Sequence, residues 1–437
     1  MLKKYLSVTI ACILSPSLFA SPYAITDLGA LAEKNSYATD VNNGGDVVGN
    51  FEGPTILDSS SGLQVLQFNS HGFIYNGIDF TDLGTLNPDA INTSATVYAL
   101  NDSGIATGES FELVDSTTVR TAFIYRNAVM VSLGLPEITD VTSIATRGFD
   151  INVNNTIVGE LIRANPLGSN SPNIENALII HPDSANVFTI LPSLKADGKG
   201  NHSARSINDL GQVVGWSQYD TDVQSVSLIA HATFYDSSVA EPQLVDLGTL
   251  GGDVSVANGI NNHSVIVGRS STADNKEVVA FKLDYLAGTP MESIGTLLPD
   301  DDIATSIATA INNNGQIVGS SEAQPSSADR LTKPTHGFLY QDGAMIDLNS
   351  QIDCDLGWVI ATADSINDNG QIVGTALLGD ALHAYLLTPT PNDGPAAACT
   401  NVEPPLFEGN NGGGGSLNFN FLFALLLLMG LTKHKIS

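Results

Sequence analysis

Residues Ile366–Gly374 read INDNGQIVG: the end of one short apolar run, a polar turn, and the start of a second apolar run. Asn369-Gly370 places at the turn two residue types that tolerate positive φ, which tight hairpins require. One such hairpin decides little, but this one recurs seven times. The earlier copies are VNNGGDVVG from Val41, LNDSGIATG from Leu100, INVNNTIVG from Ile151, INDLGQVVG from Ile207, INNHSVIVG from Ile260 and INNNGQIVG from Ile311. Successive copies start 51 to 59 residues apart.

Two further signatures travel with the hairpin. The first is a strand opening with His or a small residue and carrying an aromatic: HGFIY from His71, TAFIY from Thr121, NALII from Asn176, HATFY from His231, VAFKL from Val279, HGFLY from His336 and HAYLL from His383. The second is DLG, at Asp27-Leu28-Gly29, Asp82-Leu83-Gly84 and Asp246-Leu247-Gly248, with looser copies at Ser132, Ile190, Ser293 and Asp347. Each unit therefore holds four short strands. Around Ile311 they are expected at Met291–Leu297, Ala308–Asn312, Gln316–Ser320 and His336–Tyr340. Alternation and β-branched residues favour strands, and the repeats carry no sustained 3.6-residue period.

Four strands at this period suit a propeller blade. The register of the ends adds to this, because the chain starts on a DLG strand and finishes on an aromatic strand. The expected fold is all-β: a seven-bladed β-propeller of four-stranded blades over residues 21–390. The N-terminal strand Tyr23–Leu28 would close the ring beside His383–Leu387, leaving no open edge to aggregate. An open array of β units, or two smaller sheets, is the alternative.

The run IN-x-x-G-x-IVG, HAF-x-Y and DLGTLGG, best seen at Ile311–Gly319, His336–Tyr340 and Val245–Gly252, resembles the bacterial extracellular HAF repeat over Tyr23–Leu387. That family has no assigned activity. The resemblance implies export and a repeat fold, not a chemistry.

Both ends carry addresses. Lys3 and Lys4 precede the apolar Tyr5–Leu14, and Ser15-Pro16 breaks the run ahead of a small residue at Ala20. Residues 1–20 thus read as a signal peptide cut between Ala20 and Ser21. A lipoprotein signal ending at Cys12 is the other reading. Residues 391–416 read as a Pro/Gly-rich linker that ends in NNGGGGS. The segment 417–437 is apolar to Leu431 and then basic at Lys433, His434 and Lys435. Its apolar part is short for a spanning helix, which needs about 17–25 residues. The order of glycine run, short apolar segment and basic end resembles the Gly-Gly C-terminal sorting signal. That resemblance implies cleavage near Gly412, Gly413, Gly414 and Gly415 by a rhombosortase-like protease. It also implies a surface or secreted protein that meets the membrane only through this tail.

Composition agrees with export. Lys and Arg number 17 against 46 Asp and Glu, for a formal charge of −29, which excludes a basic nucleic-acid surface. Both terminal segments carry lysines and no acids, so their removal leaves a still more acidic chain. Once Cys12 leaves with the signal peptide, Cys354 and Cys399 form an even pair, expected as a disulfide in an oxidising compartment. Two free buried thiols are the alternative.

Sites of chemistry are harder to read. Strand alternation puts the N-x-G turns on one face and the insertions Phe51–Ser70, Leu161–Glu175, Trp216–Ala230 and Ser321–Thr335 on the other. Repeat proteins usually bind through the irregular face. The same face collects loop carboxylates, of which Asp253, Asp300, Asp301 and Asp302 are the candidate calcium ligands. The competing reading is solvated acids that keep the chain soluble. His71, His231, His336 and His383 occupy one position of different repeats and are expected to bond a neighbouring strand or turn. The DLG aspartates are expected to cap turns. No catalytic template occurs, so no catalytic or cofactor-binding residue is assigned, and calcium is the one possible cofactor. The expected function is an exported, non-enzymatic protein that binds a glycan, a protein or an envelope component through the irregular loop face. The alternative is a polysaccharide hydrolase or lyase using carboxylates at the channel mouth.

Overall fold

The computed structural model describes residues 21–391, apart from 30–34, 59–64, 88–92, 115–116, 139–141, 166–172, 185, 196–199, 220–228, 302 and 326–332. Within these the chain is all-β. Its helical content is three single 3-10 turns, at Pro182–Ser184, Leu348–Ser350 and Cys354–Leu356. No helix among the described residues is long and apolar enough to cross a membrane. Ala20, Asp302, Cys399 and Gly412–Gly415 lie outside the described residues.

The strands follow the repeats as antiparallel meanders. The first is Ser36–Val41, Val47–Asp58, Val65–Tyr75 and Phe80–Asp82; the sixth is Ser306–Ile311, Ile317–Glu322, Thr335–Gln341 and Ala344–Asp347. The second and third meanders share one sheet through a single parallel pair, Arg120 with Ala145, and the fourth and fifth share another through Ala230 with Val254. The last sheet joins the two ends of the described chain. In it Ser365–Ile366 pairs with Ile372–Leu378, that strand with Ala381–Pro389, and that one with Tyr23–Asp27. The register runs from Tyr23 opposite Pro389 to Asp27 opposite Tyr385. The insertion after Phe51 is a continuation of its own hairpin, with Thr55 opposite Phe68 and Asp58 opposite Val65.

Each repeated residue has a physical reason. The glycine of the IVG run cannot carry a side chain. A Cβ on Gly319 would stand 2.0 Å from the Ile307 carbonyl oxygen, and one on Gly108 would stand 2.0 Å from that of Thr96. The fifth turn position has positive φ in every copy: glycine in five, Asn155 (φ 61) and Ser264 (φ 60) in the other two.

The His and Asp of the other two signatures form one device. His71 Nδ1 meets Asp82 at 3.0 Å, His231 meets Asp246 at 2.9 Å, His336 meets Asp347 at 2.7 Å and His383 meets Asp27 at 2.9 Å. The same aspartates accept the backbone N–H two residues on, from Gly29, Gly84, Gly248 and Asn349. In the second repeat both members change together, to Thr121 and Ser132, which still bond at 3.0 Å. Burial raises the carboxyls of Asp82 and Asp246, but the donated hydrogen bonds outweigh it and hold both below the usual range.

Packing is between neighbouring meanders rather than around one centre. Val97 and Phe123 of the second repeat pack with Val48 and Leu83 of the first. At the ends, Leu28 is fully buried with Val373, Ala384 and Leu386.

Candidate functional site

Seven asparagines organise the site: Asn42, Asn101, Asn152, Asn208, Asn261, Asn312 and Asn367, the second residue of each turn copy. All are buried. In six of the seven, Oδ1 accepts two backbone N–H groups of its own turn, as from Asn369 and Gln371 for Asn367; Asn42 accepts that of Asp46. Each Nδ2 donates to the carbonyl of the next asparagine: Asn42 to Asn101 (3.1 Å), Asn101 to Asn152 (3.0 Å), Asn152 to Asn208 (3.2 Å), Asn208 to Asn261 (2.9 Å), Asn261 to Asn312 (3.0 Å) and Asn312 to Asn367 (2.9 Å). Asn367 then donates to Asn42 at 2.8 Å, across 325 residues of sequence. Buried polar groups need partners, and one side chain here satisfies both its own hairpin and the next one.

A second tier lies on the following residue. Asp209 N donates to Asn262, Asn262 N to Asn313, Asn313 N to Asp368, Asp368 N to Asn43 and Asn43 N to Asp102. It breaks at Val153, whose side chain offers no acceptor. Replacing Val153 by Asn is expected to give the Asp102 N–H a partner and stabilise the fold by about 0.5–1 kcal/mol. Urea denaturation reads this directly, and no gain would mean that the second tier is not continuous at this turn.

These turns and the strands that lead into them line a cavity of about 290 Å³. The first strand of each of the first six repeats carries a β-bulge, with register breaks at Ala38/Asp40, Val97/Ala99, Gly148/Asp150, Ala204/Ser206, Ala257/Gly259 and Ala308/Ala310. A bulge re-aims the side chain it frees. The freed residues are Thr39, Tyr98, Phe149, Arg205, Asn258 and Thr309, and Asp364 takes the same place in the seventh repeat. All seven line the cavity. Tyr98 and Phe149 meet edge to face with centroids 5.3 Å apart, and the Arg205 guanidinium lies 4.8 Å over Phe149.

Six aspartates and one arginine line the cavity. Asp40 and Asp150 act as braces between repeats. Asp40 accepts Ser365 Oγ (2.6 Å), Val41 N and Leu100 N; Asp150 accepts Ser206 Oγ (2.7 Å), Ile151 N and Ile207 N. Among the described residues Asp364 accepts only from Thr362 Oγ1, on one of its two oxygens. Desolvation within the ring pushes Asp40 and Asp364 up to about 6 and raises Asp150 as well. From Arg205 an ion-pair chain runs back through the wall. Arg205 lies 3.7 Å from Glu160, Glu160 pairs with Arg147 at 3.2 Å, and Arg147 pairs with Glu109 at 3.0 Å.

A carboxyl whose folded pKa is raised costs stability above that value, and the cost vanishes as pH falls towards the unfolded value. Asp364→Asn is therefore expected to stabilise the protein at pH 8 by about 1–2 kcal/mol, allowing for water in the cavity. The advantage should shrink through pH 6 and disappear near pH 4. A pH-independent difference in thermal midpoint would contradict this.

The residues singled out from sequence fall elsewhere. Asp253, Asp300 and Asp301 do not converge; Asp301 is held by Lys333 at 2.7 Å and caps Ile303 N. No group of three or more metal-ligating side chains occurs among the described residues. The irregular face was expected to hold the site, but the cavity opens among the N-x-G turns. Those turns supply side-chain amides and carboxylates as well as backbone geometry. The missed residues share a position, two before the Val, Leu or Ile that precedes the turn asparagine, and no common chemistry marks it in the sequence.

These features define an all-β, propeller-like protein. A family model described as "Protein of unknown function (DUF3466)" matches residues 203–388. No curated protein matches the chain. Among solved structures the chain is similar to the β-propeller domain of the Trilobed protease from Pyrococcus furiosus, with 11% identity, 85% of this chain and 100% of that one covered, and a TM-score of 0.48. It is also similar to Trypanosoma rangeli sialidase, at 10% identity, 84% and 55% coverage and a TM-score of 0.34. A polysaccharide lyase, an ulvan lyase, follows at 9% identity, 87% and 85% coverage and a TM-score of 0.28.

Proposed function

We propose that the seven repeats are seven four-stranded blades closed into a ring by Tyr23–Asp27, and that the protein is an exported, non-enzymatic binder. Its ligand enters among the N-x-G turns, with a glycan the foremost class and a surface protein or envelope component next. The observation that carries this reading is the 290 Å³ cavity, walled by all seven first strands and rimmed by side-chain amides and carboxylates. Concave sites with a few unsatisfied polar groups are the usual place for a small ligand. The return of the asparagine ring from Asn367 to Asn42 supports closure.

Export rests on the signal peptide cut at Ala20–Ser21 and on a tail processed at Gly412–Gly415 by a rhombosortase-like protease. In that setting Cys354 and Cys399 pair, tying the linker to the seventh repeat. Peptide mapping of the secreted protein under non-reducing conditions tests all three.

Asp364 favours a second reading. A carboxyl near 6 with one free oxygen is what a general acid of a polysaccharide hydrolase or lyase would need. The other aspartates of the cavity are all engaged: Asp40 and Asp150 accept three donors each, and Asp102, Asp209 and Asp368 accept from the turn of a neighbouring repeat. Incubation with a glycan library separates the two readings. Retention without new reducing ends or unsaturated products supports the binder, and product release supports the enzyme.

A further inference from the structure

The wall of the cavity is not uniform around its circumference. On one side, from the second to the fourth repeat, stand Tyr98, Phe149 and Arg205, with the Phe149 ring in contact with both the Tyr98 ring and the Arg205 guanidinium. On the other stand Asn258 and Asp364. Each of these two spends one side-chain atom within the protein, Asn258 Nδ2 on Ala308 O (2.9 Å) and Asp364 Oδ2 on Thr362 Oγ1 (2.8 Å). Their remaining oxygens have no hydrogen-bond partner among the described residues. Arg205 is ion-paired with Glu160 at 3.7 Å, beyond hydrogen-bond reach, and its N–H groups make no hydrogen bond among the described residues. The cavity thus offers an aromatic flank, free donors beside it, and free acceptors across from it.

We infer that the cavity takes a single neutral or amino sugar ring end-on, its C–H face against Phe149 and Tyr98 and its hydroxyl or amino hydrogens on Asp364 and Asn258. This rests on the binding function proposed above and names the ligand and its contacts. The volume is at the small end of ligand sites, which suits one ring rather than a chain laid across a groove. Six aspartates against one arginine give the cavity a negative potential. Uronic and sulfated sugars are repelled by it, and selectivity between glycans follows from that unfavourable term as much as from the contacts made.

The test is a printed array of neutral, amino, uronic and sulfated glycans probed with the wild-type secreted protein, followed by calorimetry on the best binder. Neutral or amino-terminated glycans are expected to bind and anionic ones to be rejected. Phe149→Leu, which keeps the apolar volume and loses the aromatic face, is expected to weaken binding about tenfold or more. Asp364→Ala is expected to do the same, with the thermal midpoint confirming that each variant is folded. Preference for anionic glycans, or neutral-glycan binding that both variants leave unchanged, overturns this inference while the binding function stands. Retention of no glycan by the wild type overturns the inference; failure to retain any envelope component or surface protein as well would remove the proposed function too.

Discussion

Deletion of residues 23–28 is expected to cost more than about 5 kcal/mol and to make the protein aggregate. The segment is short, but it carries three kinds of contact. Its backbone pairs with Ala381–Pro389 over five residues, and Tyr23 N also donates to Gln351 O at 3.1 Å. Leu28 is fully buried against Val373, Ala384 and Leu386, and losing one such side chain alone costs about 2–5 kcal/mol. Asp27 meets His383, and with it the last repeat loses the His–Asp pair that three other repeats keep. What remains is the strand Ala381–Pro389 as an uncovered edge, a template for pairing with a second molecule. Size-exclusion chromatography and urea denaturation read both effects. A monomer with an unchanged midpoint would mean that the N-terminal strand is an accessory to the fold.

Asn367→Ala is expected to destabilise by about 2–4 kcal/mol, an unusually large effect for a polar turn residue. Asn367 is buried and uses both ends of its amide. Oδ1 accepts from Asn369 N (3.0 Å) and Gln371 N (2.9 Å), and Nδ2 donates to Asn42 O (2.8 Å) and Gln371 Oε1 (2.8 Å). Truncation leaves two N–H groups without partners, each a desolvation cost with no return, and takes from the Asn42 carbonyl one of its two donors, the other being Gly45 N at 3.0 Å. Asn367→Asp isolates the link between repeats, because the carboxylate keeps the turn bonds and loses the donor. Asn369, whose Nδ2 reaches Asn43 O at an exposed position, is the control and should cost less than about 1 kcal/mol as Ala. Equal effects at 367 and 369 would mean that the buried ring adds nothing beyond turn formation.

Much of the fold was legible because the repeats leave few choices. The hairpin copies placed every inner strand, and the offset between the DLG and aromatic strands pointed to the contact of Tyr23–Asp27 with Ala381–Pro389. His–Asp bonding was foreseeable in kind from the two signatures. Their shared site was not, because His71 and Asp82 lie in different strands and meet only through register. The need for the glycine of IVG is steric, set by a carbonyl from the strand beside it, which no local pattern in the sequence announces. The cavity was the least legible. Thr39, Tyr98, Phe149, Arg205, Asn258, Thr309 and Asp364 have no common chemistry, and they reach one surface through a shared strand position, bulged in the first six repeats. The loop acids stand out in the sequence only by number, whereas Asp364 differs from them by position and by an oxygen with no partner among the described residues.

The most direct measurement is hydrogen–deuterium exchange of the secreted protein with and without the best-binding glycan. Binding in the central cavity predicts added protection in the strands and turns at 37–43, 98–102, 147–153, 203–209, 256–262, 307–313 and 362–368, together and from all seven repeats. Protection confined to the insertions at 51–70, 161–175, 216–230 and 321–335 would contradict it and return the site to the irregular face.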